Sequence, residues 1–296
     1  MLLKGKFKNK PYFFKIILLV ALIFSSALIF TSFSYACIMM IFNISFSEVN
    51  SFLENMSNPH VINSLKVLQG VTTISLFIIP VVIFSYLCEI NLQLNKIPNR
   101  YAILIGVAII VVINPIIDYL YQINQIIELP NWMYLYEMKA AVLTEAFLQM
   151  NHISDVFINI IVIAFIASVA EEFFFRGILQ QILIQSSNQI NASILITAFL
   201  FSAVHMQFQG FFPRFALGLL LGYIFYWSKN LWVPIIMHFM NNAIIILLSY
   251  YPIQKFTGIN ILDFNTKINY EEVFFSALAV IILVFLFKKR AKTIQG

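Results

Sequence analysis

Long apolar runs separated by short polar clusters dominate the chain, and their lengths carry the first message. A helix that crosses a bilayer needs about 20 mostly apolar residues. Eight runs read as such spans: 13–42, 62–88, 101–121, 153–185, 191–209, 211–228, 231–249 and 272–288. The first, second and fourth exceed what the bilayer requires, which predicts tilt, a break or projection into water. Between the third and fourth runs, "ELPNWMYLYEMKAAVLTEAFLQM" mixes aromatics, acids and alanines. Trp132, Tyr134 and Tyr136 suit the headgroup level, and 132–150 reads either as a helix lying on the surface or capping a cavity or as an ordinary outer loop. Segment 250–271 reads as a second outer loop, with Pro252 and Gly258 as turn signals. The expected fold is all-α, a polytopic bundle of about eight membrane helices around an intramembrane cavity. Residues 1–150 supply N-terminal helices and the interfacial segment. Residues 151–250 form a core, and 251–296 hold a loop, the last helix and a basic tail.

Composition agrees. Of 296 residues, 61% are hydrophobic and 10% charged, where a soluble domain carries about 25% charged residues. Mean hydropathy is +0.88. The first apolar run is too long for a secretory signal, and no small-residue cleavage site follows it. The net charge of +5 does not point to nucleic acid, because the basic residues gather in "KGKFKNK" near the start and "FKKRAK" near the end. Such flanks orient membrane proteins. With the N-terminus in the cytoplasm and eight spans, twelve Lys and Arg lie inside and five outside, with Arg176 within a span. This predicts both termini in the cytoplasm, and the pattern suits a bacterial inner membrane. Cys37 and Cys88 form no CxxC and read as apolar fillers.

Ionisable residues inside spans are expensive and mark function by default. The fourth span holds Glu171, Glu172 and Arg176, the fifth His205, and the seventh His238 and Asn242. Glu172 and Arg176 are i,i+4 and share a helix face. Glu171 is turned about 100° away, so the two carboxylates cannot share one role. Phe201 and His205 are again i,i+4, as are His238 and Asn242. Taken singly, a membrane histidine or asparagine is a helix-packing hydrogen-bonder, and Glu172–Arg176 is a structural ion pair. Taken together, they form an inventory for hydrolysis. A carboxylate in a low-dielectric pocket serves as general base, histidine holds water, and an amide with a second histidine donates to an oxyanion. No serine or cysteine has the context of a covalent nucleophile. Two other classes compete: a non-enzymatic immunity or regulatory scaffold, and a proton-coupled transporter using the Glu/His set as a relay. No inverted repeat favours the transporter.

The motifs EExxxR (Glu171, Glu172, Arg176), FxxxH (Phe201, His205) and HxxxN (His238, Asn242), in that order on membrane helices, resemble those of the CPBP family, the CAAX-protein and bacteriocin-processing (Abi) intramembrane endopeptidases. The resemblance covers about 155–249. It implies a peptide or protein substrate in the membrane, a CAAX-like prenylated tail or a leader peptide. It also implies water activated by Glu171 or Glu172 with His205, and an oxyanion bound by His238 and Asn242. The Glu172–Arg176 pairing favours Glu171 as the base. Members have also been described as metalloproteases. On that reading Glu171, His205 and His238 hold zinc. The lack of HExxH and the ready oxyanion pair favour a metal-free hydrolase.

Overall fold

Helix ends are set by a few residues that tolerate unusual backbone. Asn43, Glu89, Asn188 and Lys229 stop their helices in the left-handed conformation, the usual C-terminal device. Asn99 starts another by accepting the Tyr101 amide on its side chain. The computed structural model describes residues 3–43, 45, 47, 59–257 and 268–295, with backbone alone for 292–295, and every regular element among these is a helix. In chain order they are α1 (Tyr12–Phe42), α2 (His60–Cys88), α3 (Arg100–Val112), α4 (Asn114–Gln125), α5 (Asn131–Leu148), α6 (Ile153–Ser187), α7 (Ile190–Ala203), α8 (Phe211–Ser228), α9 (Trp232–Ser249), α10 (Tyr251–Thr257) and α11 (Tyr270–Gln295).

The expected count of eight spans is reduced. Among the described residues, five helices (α1, α2, α6, α9 and α11) are long and apolar enough by length and composition to cross a membrane, or six if α3 and α4, bent by 45°, make one broken span. The run 191–209 was too generous. Its helix α7 has 14 residues, about 21 Å, because the chain turns after Ala203 and Met206 adopts φ 54°. Helix α8 falls just short in apolarity, with Arg214, two tyrosines and two glycines among its residues. The interfacial segment is a helix, α5, with Trp132, Tyr134 and Tyr136 exposed. The turn signal Gly258 lies outside the described residues. The N-terminal basic segment is docked: Gly5 and Phe7 amides donate to the Tyr86 and Leu87 carbonyls at 3.0 and 2.9 Å. Lys8 pairs with Glu89 at 2.9 Å; that hydrogen bond and charge hold the Glu89 carboxyl below the usual carboxylate range.

Two buried layers flank the middle of the bundle. Ile109, Ile110, Leu221, Ile224, Met237 and Phe287 join α3, α8, α9 and α11. Leu19, Phe84, Ile178 and Ile182 join α1, α2 and α6. Between these layers α6 meets α7 and α8 through polar groups. On α6, Glu172, Arg176 and Gln180 recur every four residues, all at 0% exposure. On α8, Gly218 and Gly222 recur every four residues too. Arg176 donates to the Gly218 carbonyl at 3.0 Å, and Gln180 to the Gly222 carbonyl at 3.0 Å. The two helices are thus laddered in register. Glycine is required on α8: a Cβ at Gly218 would stand 3.2 Å from Ala198 and Phe201, and one at Gly222 2.8 Å from Ile194. Such small-xxx-small faces let helices approach in lipid, where packing and internal hydrogen bonds replace the hydrophobic driving force.

Candidate active site

Helix α6 is wound as π-helix over Ile160–Ile166 and Phe175–Gln180, on either side of the α-helical stretch Ala167–Phe174 that carries both glutamates. Wider π turns inside α-helices favour functional sites, because they redirect side chains and release carbonyls. Here the Ile163 carbonyl accepts the Asn242 amide at 3.3 Å, and the Gly177 carbonyl accepts Gln181 at 2.6 Å.

The two carboxylates separate as their rotation requires. Glu172 is wholly buried. Its Oε1 accepts from Arg176 Nη1 at 2.6 Å and from His238 Nδ1 at 2.9 Å. One oxygen therefore anchors the cation of its own helix and the imidazole of α9. The Arg176 guanidinium also lies over the Phe201 ring, with Cζ 4.7 Å from its centroid, a favourable cation–π geometry. Phe201 meets the His205 and His238 rings edge-on, at centroid distances of 5.3 and 5.7 Å. It acts as the central packing post of the site. Its FxxxH spacing gave no hint of the contact with Arg176.

Glu171 points elsewhere. Its side chain is 14% exposed, and Oε2 lies 3.8 Å from His205 Nε2 and 3.9 Å from His238 Nε2. That oxygen is buried with no hydrogen-bond partner in the protein. His205 uses Nδ1 on the Phe201 carbonyl at 2.8 Å. A carbonyl only accepts, so this Nδ1 carries the proton and Nε2 of the neutral ring is an acceptor. His238 likewise gives Nδ1–H to Glu172, and its Nε2 accepts in the neutral ring and donates in the charged one. Two imidazole nitrogens and a carboxylate oxygen from α6, the end of α7 and α9 thus face one small space, at distances suited to bridging by water.

Six of the seven predicted residues (Glu171, Glu172, Arg176, Phe201, His205 and His238) come together in this way. Asn242 stands apart from them. It lies one turn beyond His238 and donates to Ile163, while its Oδ1 accepts from Asn241 at 3.2 Å. In the zinc set of Glu171, His205 and His238, the carboxylate Oε2 stands 3.8 and 3.9 Å from the two Nε2 atoms. Ligands of one zinc would stand about 3.3 Å apart, so holding one would draw the carboxylate and the rings about 0.5 Å closer. Among the described residues, no three His, Cys, Asp or Glu side chains form a group that could hold a metal ion. Gln180, Gly218 and Gly222 were not singled out from the sequence, although Gln180 continues the Glu172–Arg176 spacing by one turn and "GLLLG" shows the small-residue repeat.

Residues 153–244 match the family model described as "Rce1-like: Type II CAAX prenyl endopeptidase Rce1-like". A Bacillus subtilis (strain 168) protein named "Putative membrane peptidase YdiL" is 28% identical over 97 residues, 33% of this chain and 39% of that protein. The chain therefore aligns with well under half of that relative's length. No solved structure matches the chain. The apolar helices and this match make the chain an integral membrane protein. The segment 153–244, which carries all seven candidate residues, is similar to the Rce1-like type II CAAX prenyl endopeptidases.

Proposed function

We propose that the protein is an intramembrane endopeptidase that cleaves a peptide bond with water activated by Glu171. The single observation that carries this reading is the convergence of His205 Nε2 and His238 Nε2 on the Glu171 carboxylate. A water molecule held there can give its proton to Glu171 as its oxygen attacks the scissile carbonyl. His205 orients that water. The oxyanion of the tetrahedral intermediate is met by His238, donating from Nε2 when charged, and by the Asn242 amide once it leaves Ile163. Collapse breaks the C–N bond, and Glu171 returns its proton to the leaving amine. Arg176 and Glu172 do not touch the reacting atoms; they hold the glutamate helix and the His238 ring. The family match supports a CAAX-type substrate, a peptide near the bilayer with a lipid-modified or hydrophobic flank.

Glu171 with the two imidazoles supplies a base and a water site of its own, and the mechanism is proposed without a metal-bound step. New protein termini should arise in membranes holding the wild-type protein and be absent with His205→Ala. The purified active enzyme should hold well under one zinc per chain and should keep its rate in chelator. Identical termini in both membranes would favour the scaffold reading. Stoichiometric zinc, with chelator loss restored by zinc, would recast the three residues as ligands.

The charge bias of the two ends supports an orientation with both termini in the cytoplasm of a bacterial inner membrane. Six spans, with α3 and α4 as one, return the chain to the side on which it starts. Reporter fusions after Lys10 and after Arg290 should then both read cytoplasmic; opposite sides would require five or another odd number of crossings.

A further inference from the structure

We propose that Asn124, at the end of α4 and outside the family-matched segment, is a positioning residue for His205. The inference rests on the hydrolase reading above for its kinetic consequence, though not for its geometry. His205 stands at the head of the loop 204–210 that joins α7 to α8. That loop has little internal structure to hold it. Met206, next to His205, has φ 54°, a conformation disfavoured for a side chain of its kind and kept only where the surroundings impose it. Gly210 precedes the first residue of α8 and offers no side chain to cap its free amides.

The surroundings that impose the conformation come from other helices. Asn124 is 3% exposed. Its Nδ2 donates to the Phe208 carbonyl at 2.9 Å, and its Oδ1 accepts the Phe212 amide at 2.8 Å. One side chain thus ties the loop and caps α8. From α5, Glu137 accepts the Gln209 amide at 3.3 Å, and Trp132 meets Phe208 edge-on with ring centroids 5.5 Å apart. From α8, Arg214 reaches back to the Gln207 side chain at 2.8 Å and to its carbonyl. A Cβ at Gly210 would stand 2.6 Å from the guanidinium and push the end of that flexible side chain aside. Asn124 uses both halves of its amide and is the most buried of these holds. A shift of the loop by about 1 Å would move the His205 ring relative to Glu171, and misplacement of that size can cost 10²-fold in rate.

The test separates capping from positioning. Asn124→Asp keeps an acceptor for the Phe212 amide, which suits a carboxylate at a helix N-terminus, but it loses the donor to Phe208 and sets two acceptors against each other. The expected result is a kcat at least about tenfold lower, with KM close to wild type and a melting temperature lowered only in part. In ¹⁵N-histidine spectra of the four histidines, the His205 ring signals should shift while those of His60 stay. A wild-type kcat, or an unmoved His205 signal, overturns the proposal. Should Asn124→Asp melt early, Glu137→Ala carries the same expectation at about threefold in kcat, and an unchanged rate there counts against it. If the wild type itself cleaves nothing, the hydrolase reading fails, and the His205 signal alone decides the positioning role.

Discussion

Glu171→Gln leaves the fold standing and lowers the cleavage rate by at least about 10². The amide has the shape of the carboxylate but cannot take a proton from water. Its loss should be cheap for stability, because Glu171 makes no ion pair with Arg176 and its Oε2 has no hydrogen-bond partner in the protein. Glu172→Gln should behave differently. Its Oε1 receives both Arg176 and His238, so neutralising it strands a buried cation and loosens the ring of α9. Stability and rate should fall together. Initial rates on one substrate, with thermal unfolding in the same detergent, distinguish the two. If the variant that is inactive yet as stable as wild type turns out to be Glu172→Gln, the base has been assigned to the wrong carboxylate.

The second large effect is at Arg176. Removing one partner of a buried ion pair typically costs 3–5 kcal/mol, because the other charge remains in a low-dielectric site. Both Arg176 and Glu172 are at 0% exposure, so little solvent screening reduces that figure. Arg176→Ala should lose about that much, together with its bond to the Gly218 carbonyl and its contact with Phe201. Adding Glu172→Gln removes the stranded charge and should recover part of the loss. The sign of this coupling is the useful readout. A single variant that melts like wild type, or a double variant less stable than the sum of both singles, would show that the pair does not hold the helices together.

Much of the site could be read from spacing. The four-residue step put Glu172 against Arg176, and the 100° rotation turned Glu171 away. Three short motifs on separate runs named the residues that meet. What spacing could not supply was the partner across the bundle. Nothing in "IIVIAFI" marks a π segment, so the Ile163 carbonyl that receives Asn242 was not legible. At the end of the apolar run 191–209, His205, Gln207 and Gln209 alternate with Val204, Met206 and Phe208, a drop in hydropathy that marks the turned loop and that a count of run length passes over. Asn124 reaches Phe208 across 84 positions, and one amide among Gln122, Asn124 and Gln125 just past an apolar run carries no sign of so distant a partner.

The ladder between α6 and α8 also limits how a substrate can arrive. Sliding one helix along the other by a full rung means a step of four residues, about 6 Å, with no stable position in between. Parting them would leave Arg176 Nη2 and Gln180 Nε2 without the Gly218 and Gly222 carbonyls as acceptors in a dry interior, at about 1–3 kcal/mol for each buried group left unsatisfied. On the proposed hydrolase reading that seam stays shut, and a peptide would reach Glu171 past a more loosely held side. The amides of α6 and α8 along the seam should therefore be among the slowest to exchange with deuterium, and they should stay protected when substrate is added.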